Sequence, residues 1–240
     1  MPGFQVETRG HGPRVVLVHG SVTDGATTWS AQRPLVERFT LVVVERPGYG
    51  TEPPPARIDF EEQAQGLAQL LEPGDHLVGH SYGGVISLLA AARRPDVIRS
   101  LTVNEPPAFG LARGHPAVEA FLAQFDGAPR DPRGYLEFFM PLVGSSASLP
   151  DPLPPKLEAG ARAALSERPP HEAEIPLDEL ARAPFPKLLV SGAHNSALDA
   201  VCDVLEQRLP AERAVLRGAG HSLPRAAGYN KRLAAFLEGA

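Results

Sequence analysis

Apolar residues follow two rhythms along this chain, and the rhythms alternate. Short apolar runs at Arg14 to Val18 and Leu41 to Val44 have the length and β-branched content of strands buried on both faces, and Asp75 to Val78, Leu101 to Val103 and Lys187 to Val190 read as strands too. Arg213 to Leu216 reads as a further strand. Phe4 to Thr8 instead alternates like an antiparallel edge strand, with Gly10-His11-Gly12-Pro13 as its turn. Between the runs, apolar positions recur at helical spacing over Phe60 to Leu71, Tyr82 to Arg93, Ala197 to Leu209 and Arg225 to Leu237. The same spacing runs from Thr28 to Arg38, where Pro34 blurs the start. Doubly buried strands alternating with helices predict an α/β fold, a mainly parallel sheet flanked by helices.

The pattern breaks once. Between Pro106 and Pro186 lie 15 of the chain's 26 prolines and no strand pattern. The helical candidates there are short: Ala117 to Phe125, Gly134 to Phe139 and Pro155 to Leu165. An insertion of this length in a compact domain reads as a lid or cap. The expected division is a core of residues 1–105 and 186–240 and a helical cap of residues 106–185. A triple proline at Pro53 to Pro55 predicts an extended loop within the core. No internal repeat is visible.

Composition narrows the classes. The 240 residues suit one sizeable domain, and 43% hydrophobic with 21% charged residues is ordinary for a globular chain. A net charge of −5 without a basic cluster argues against nucleic acid and against an anionic membrane. Cys202 is the single cysteine, which excludes an intramolecular disulfide and a cysteine-based metal site. No signal-like N-terminus and no bilayer-length apolar run are present, so a cytoplasmic protein is expected. Neither a His-x-Glu ligand cluster nor a Gly-x-Gly-x-x-Gly helix start occurs, so no metal, nucleotide or flavin cofactor is expected.

The chemistry is carried by Gly79-His80-Ser81-Tyr82-Gly83, which lies between a strand pattern and a helix pattern. A serine hydroxyl is a poor nucleophile unless it is held exposed beside a base. A sharp strand-to-helix turn holds it so, with a strained backbone at the serine and glycine on either side where neighbouring chain crowds in. The same turn sets the Tyr82 amide at a helix N-terminus, facing any oxyanion that develops.

With these residues, the sequence resembles the α/β-hydrolase fold family over nearly its whole length outside the cap. The matching parts are His19-Gly20 after an early strand, Arg46-Pro47-Gly48-Tyr49-Gly50 after the next, the Ser81 pentapeptide, and Gly218-Ala219-Gly220-His221 before the final helix. The resemblance implies a Ser–acid–His order and a helical cap between two late strands. It also implies a second oxyanion donor in the amide of Ser21. Among the eight histidines, His221 stands where such a fold delivers its base. His19 and His80 read as residues that shape the backbone.

The acid departs from the family pattern. It usually stands three residues beyond a glycine after the strand Lys187 to Val190, and here that residue is Asn195. Some family members carry the acid after the preceding strand, where Glu105 stands. Asp199 is a nearby carboxylate, and Asn195 itself is an orienting amide. Glu105 ranks first, Asp199 second and Asn195 third, because Asp to Asn in a trypsin-like triad costs about 10⁴ in turnover.

The expected activity is a serine hydrolase acting through Ser81, His221 and Glu105 on a small, largely apolar ester or related acyl compound. Phe109, Phe121, Phe125, Phe138, Phe139 and Met140 are candidates for lining its pocket or for forming the cap's own core. A serine nucleophile argues against the dehalogenases and epoxide hydrolases of this fold. Hydroxynitrile lyases and cofactor-free oxygenases share the framework, and a ligand-binding receptor or degraded hydrolase is the reading that Asn195 favours. Oligomeric state is not legible in the sequence.

Overall fold

The computed structural model describes residues 3–50, 54–145 and 148–240. Seven strands form one sheet: β1 (Gln5–Gly10), β2 (Arg14–Val18), β3 (Thr40–Glu45), β4 (Asp75–His80), β5 (Ile98–Asn104), β6 (Lys187–Ser191) and β7 (Ala211–Val215). Their spatial order is β1-β3-β2-β4-β5-β6-β7. Only β1 is antiparallel to its neighbour, and every other pair is parallel. The inner strands β2, β4 and β6 are buried along almost their whole length, as continuous runs demand, whereas all six residues of the edge strand β1 are exposed and its alternation marks no buried face.

The doubly buried runs divide their side chains between two cores. Val16, Val18, Val42, Leu77, Leu101 and Leu189 point into one, with α2 (Phe60–Leu70), α3 (Tyr82–Arg93) and α8 (Ser196–Arg208) packed over them. Val15, Leu17, Leu41, Val78, Leu188 and Val190 point into the other, under α9 (Tyr229–Gly239) and Trp29. Each fully buried Leu or Val contributes roughly 1.5–3 kcal/mol relative to exposure, so the sheet is fixed from both sides.

Several expected elements differ in detail: β1 takes in Gly10, β5 begins at Ile98, and the helix expected over Gly134 to Phe139 extends to Pro132 and Leu142 at its two ends. The Thr28 to Arg38 stretch becomes a short helix, α1 (Gly25–Thr28), capped by Asp24 and followed by a 3-10 segment, Ser30–Glu37. Pro34 lies inside that segment and has no N–H for an α-helical bond. The closing helix starts at Tyr229 rather than near Arg225, because Gly228 takes a left-handed conformation (φ 84°) just before it. The last strand lies at Ala211–Val215, two residues earlier than the apolar run suggests at its start. Of the triple proline, Pro54 and Pro55 lie in irregular chain and Pro53 lies outside the described residues.

Residues 106–185 hold α4 (Pro116–Ala123), α5 (Pro132–Leu142), α6 (Pro155–Ser166) and α7 (Leu177–Arg182). The first three begin on proline, which suits a helix's first turn. The six-residue α7 was too short to show a period, and its Leu180 packs into the main core. By contrast, α5 and α6 make a small cluster of their own around Leu136, Ala161 and Ala164, which closes on Val22 of the core. The chain after α6 is pinned by a two-hydrogen-bond bridge, Ile58 N–H to Ser166 O (2.7 Å) and Arg168 N–H to Ile58 O (2.8 Å). Among the described residues no helix is long and apolar enough to cross a membrane.

The closest seam in that contact is Gly160, where a Cβ would stand 1.7 Å from the carbonyl oxygen of Val22. Gly160→Ala therefore forces α6 away from the loop after β2. Its expected cost is about 2 kcal/mol or more, or roughly 4–8 °C in Tm for a chain of this size, read by thermal unfolding.

Candidate active site

The site is assembled at the C-terminal ends of five neighbouring parallel strands, where ligands bind in open α/β sheets. Ser81 directly follows β4, with φ 53° and ψ −126°, and heads α3. That turn is possible because the chain after β2 runs hard against it: a Cβ on Gly83 would stand 2.3 Å from the His19 carbonyl oxygen. A Cβ on Gly20 would stand 2.8 Å from the Ser81 Cβ. Glycine at both positions lets the two loops close to contact.

Glu105 directly follows β5 and is completely buried. Its Oε2 lies 2.7 Å from His221 Nδ1, the geometry of a ring N–H donating to a carboxylate. Its Oε1 accepts from the Gly192 amide at 2.6 Å and lies 3.4 Å from His194 Nδ1. Burial by itself raises this carboxyl. Hydrogen bonding to His194 and His221, the charge of His221 and the Gly192 amide outweigh that effect and hold it at about 2. Glu105 is therefore ionised over the whole working range.

The other two acid candidates are engaged elsewhere. Asn195 is the N-cap of α8: its side-chain oxygen accepts from Ala197 N (2.9 Å) and Leu198 N (3.3 Å). Its amide nitrogen donates to the Leu142 carbonyl at 3.1 Å, which ties α8 to the end of α5. Asp199 lies one turn into α8 and pairs with Arg213 at 3.6 Å. Burial and the nearby charge of Glu105 raise its carboxyl.

Ser81, Tyr82, Ser21 and His221 all line one cavity of about 290 Å³. Tyr82 is the first residue of α3, so its amide has no acceptor within the helix. The Ser21 hydroxyl donates to Glu167. His19 donates from Nδ1 to the Gly20 carbonyl (2.8 Å) and accepts the Arg46 amide on Nε2 (3.1 Å), so it fixes backbone rather than facing the cavity. His80 packs on the His221 ring with centroids 4.8 Å apart. Burial first, and then the neighbouring His221, push it down to about 3, which leaves it neutral. Of the aromatic candidates, Phe109, Phe121, Phe125 and Phe139 line the cavity. Phe138 stands behind, edge-on to Phe125, and Met140 joins the cluster between α5 and α6.

One group of residues was not legible beforehand. Glu167, at the end of α6, lines the cavity and accepts from Arg46 Nη2 (2.6 Å) and the Tyr49 hydroxyl (2.9 Å) as well as from Ser21. Arg46 is buried, lies between the rings of Tyr49 and Tyr82, and donates to the Gly20 carbonyl at 2.9 Å. Burial opposes its charge and the Glu167 carboxylate restores it. The Arg46 motif was visible in the sequence; its partner, more than a hundred residues on in proline-rich chain, gave no local signal. His194 also went unassigned. The signal for it was the backbone, since Ala193 just before it has φ 50°. The non-glycine residues with positive φ among the described residues are Val22, Ser81, Glu105 and Ala193, and each follows one of β2, β4, β5 and β6. Strain of this kind, of order 1–3 kcal/mol each, gathers where a site is over-determined.

A hydroxyl at a strained turn, an imidazole tied to a carboxylate and a helix-end amide around one largely apolar cavity suit acyl transfer. Two measurements follow from the geometry. Asn195→Ala is expected to cost about 1 kcal/mol in urea unfolding through loss of the α8 cap, and Asn195→Asp, which keeps the acceptor, far less. Stability is also expected to fall with acid in two windows. His80 and His76, held by burial at about 3 and about 4 in the fold against 6.5, leave the unfolded state binding more protons as pH drops below 6.5. Each loses at most about 1.4 kcal/mol per pH unit. Glu105, held at about 2 against 4.5, adds a second loss from pH 4.5 downwards. Unfolding in urea at pH 7.5, 6, 5, 4 and 3 reads both, and His80→Gln is expected to make the first shallower, leaving the share of His76.

Comparison with known proteins bears on the family and the fold. The model of the "Alpha/beta hydrolase family" matches residues 15–234. A pimeloyl-[acyl-carrier protein] methyl ester esterase of Methylococcus capsulatus is 34% identical over 174 residues, which covers 71% of this chain and 66% of that protein. A protein of the same description from Aeromonas hydrophila is 30% identical over 240 residues, covering 90% and 91%. Among solved structures, a hydrolase from Oleispira antarctica superposes with a TM-score of 0.77 at 20% identity, covering 98% of this chain and 94% of that one. The chain belongs to the alpha/beta hydrolase family.

Proposed function

We propose that the protein is a serine hydrolase that cleaves a small, largely apolar ester or related acyl substrate through Ser81, His221 and Glu105. The observation that carries this reading is the 2.7 Å contact between His221 Nδ1 and the buried Glu105 carboxylate, with Ser81 at its strained turn on the same cavity. Ser81 Oγ attacks the acyl carbon while His221 Nε2 takes its proton, and Glu105 keeps the other ring nitrogen protonated. The oxyanion that forms faces the amides of Ser21 and Tyr82, each worth roughly 3 kcal/mol if the subtilisin example transfers. The tetrahedral intermediate collapses, His221 returns the proton to the leaving alcohol, and an acyl-enzyme remains. Water, deprotonated by His221, adds to that acyl group and frees the acid and Ser81.

Substrate size follows from the cavity. About 290 Å³ lies at the small end of ligand sites, and Phe109, Phe121, Phe125 and Phe139 make its walls apolar. We assign residues 106–185 the role of cap, since they supply those walls together with Glu167. The methyl ester esterases among the relatives point to a small alcohol as leaving group. The receptor alternative drew its support from Asn195; Asn195 capping α8 and Glu105 beside His221 support the hydrolase reading over it.

The test is fluorophosphonate labelling read by intact mass, beside hydrolysis of a methyl ester and an activated ester. Wild type is expected to take one label rapidly, and Ser81→Ala none. Glu105→Gln is expected to slow turnover on the order of 10⁴-fold, as in a trypsin-like triad, and Asp199→Asn to leave it near wild type. A folded wild type that takes no label overturns the mechanism.

A further inference from the structure

Two histidines lean on the Glu105 carboxylate, and the proposed acyl transfer uses one. His221 Nδ1 lies 2.7 Å from Oε2 and His194 Nδ1 lies 3.4 Å from Oε1. One ligand atom from each of Glu105, His194 and His221 lies within 4.8 Å of the other two. Both ring nitrogens of His194 are buried: Nδ1 has only the long 3.4 Å contact with Glu105, and Nε2 makes no hydrogen bond within the described structure. An imidazole held this loosely has capacity for a further ligand. The backbone that delivers it is itself strained at Ala193.

We propose that Glu105, His194 and His221 form an inhibitory site for Zn²⁺. Two neutral imidazoles and one carboxylate, completed by one bound water, is a zinc donor set. Donor atoms at about 2.0–2.2 Å from a tetrahedral ion stand about 3.3 Å apart. His194 Nδ1 stands 3.4 Å from Oε1 and His221 Nδ1 2.7 Å from the other oxygen, Oε2. A turn of the carboxylate and an opening of the His221 contact by several tenths of an ångström bring one oxygen and both nitrogens to that spacing. Mg²⁺ and Ca²⁺, which require six or more oxygen ligands, do not fit the set. The ligands are far apart in sequence, at positions 105, 194 and 221, so no local spacing reveals them. The site is not that of a resident cofactor, since its occupation blocks the proposed reaction.

The block follows from tautomerism. Without metal, His221 carries its proton on Nδ1, donates it to Glu105 and presents the Nε2 lone pair to Ser81. Zinc takes the Nδ1 lone pair, and the neutral ring then carries its single proton on Nε2. No proton is gained or lost overall. Nε2 has become a donor and cannot accept from Ser81, so the nucleophile is silenced while the cavity stays open.

The inhibitory consequence rests on His221 being the base, whereas zinc binding does not, so the two are measured separately. Ser81→Ala, stripped of metal with a chelator, is titrated with ZnCl₂ by calorimetry. One equivalent is expected, and adding His194→Ala or the size-preserving His194→Gln weakens it at least about tenfold. In parallel, ester hydrolysis by wild type is measured with ZnCl₂, with MgCl₂ and after EDTA. Zinc is expected to inhibit reversibly over the range in which it binds and magnesium is not, and His194→Gln requires at least about tenfold more zinc for the same loss. Thermal unfolding of both variants confirms that they are folded. No zinc bound by Ser81→Ala, or equal zinc affinity with and without His194 in folded proteins, overturns the site. Binding at the site without inhibition of an active wild type overturns the tautomer switch. A wild type that never hydrolyses esters yet binds zinc through His194 supports the site and counts against the hydrolase reading alone.

Discussion

A carboxylate buried without solvent must have its charge met from every side, and Glu105 is such a group. Its partners come from two other strand ends: the Gly192 amide after β6 and the His221 ring after β7. Neither could be in place if the sheet slipped by one residue, because a slip turns every side chain to the opposite face. The parallel register of β5 with β6, and of β6 with β7, is thus what lets a negative charge sit in the middle of the protein. The charge in turn sets which nitrogen of His221 is free.

The second constraint joins the cap to the core. Arg46 and Glu167 are a buried ion pair whose remaining donors and acceptors are met by Gln63, Gly20, Tyr49 and Ser21. Such a pair adds little to stability compared with apolar packing, but breaking it leaves a buried charge alone and is costly. Its value here is geometric. Arg46 holds the Gly20 carbonyl and Glu167 holds the Ser21 hydroxyl, so the loop that carries the proposed second oxyanion donor is gripped from the core and from the cap at once.

Most of the sheet could be read from the chain because doubly buried strands need unbroken apolar runs, and Val15 to Val18 or Leu77-Val78 have no other good use. The turn at Ser81 was legible for a similar reason: glycine was required where backbone from another loop approaches within contact. What could not be read was pairing across long separations. Glu105 was a candidate among three, since nothing in Glu-Pro-Pro says that Gly192 and His221 come to meet it. Asn195 stood in the expected place for an acid but folds back onto the first turn of α8, a capping role that the two residues after it decide. Glu167 and His194 had no motif at all. Helix ends were lost where a single backbone conformation decides them, as at Gly228, or where proline forced a tighter helix, as at Pro34.

The four strained residues after β2, β4, β5 and β6 have a meaning for how this chain can change over time. Packing against α5 and α6 accounts for Val22, but folding alone gives no reason to keep serine, glutamate and alanine in a backbone region where glycine or asparagine rests more easily. A descendant released from its chemistry would therefore gain stability by the simplest substitutions at those other three places. Their side chains are where drift would first become visible, well before the sheet itself recorded any loss of purpose.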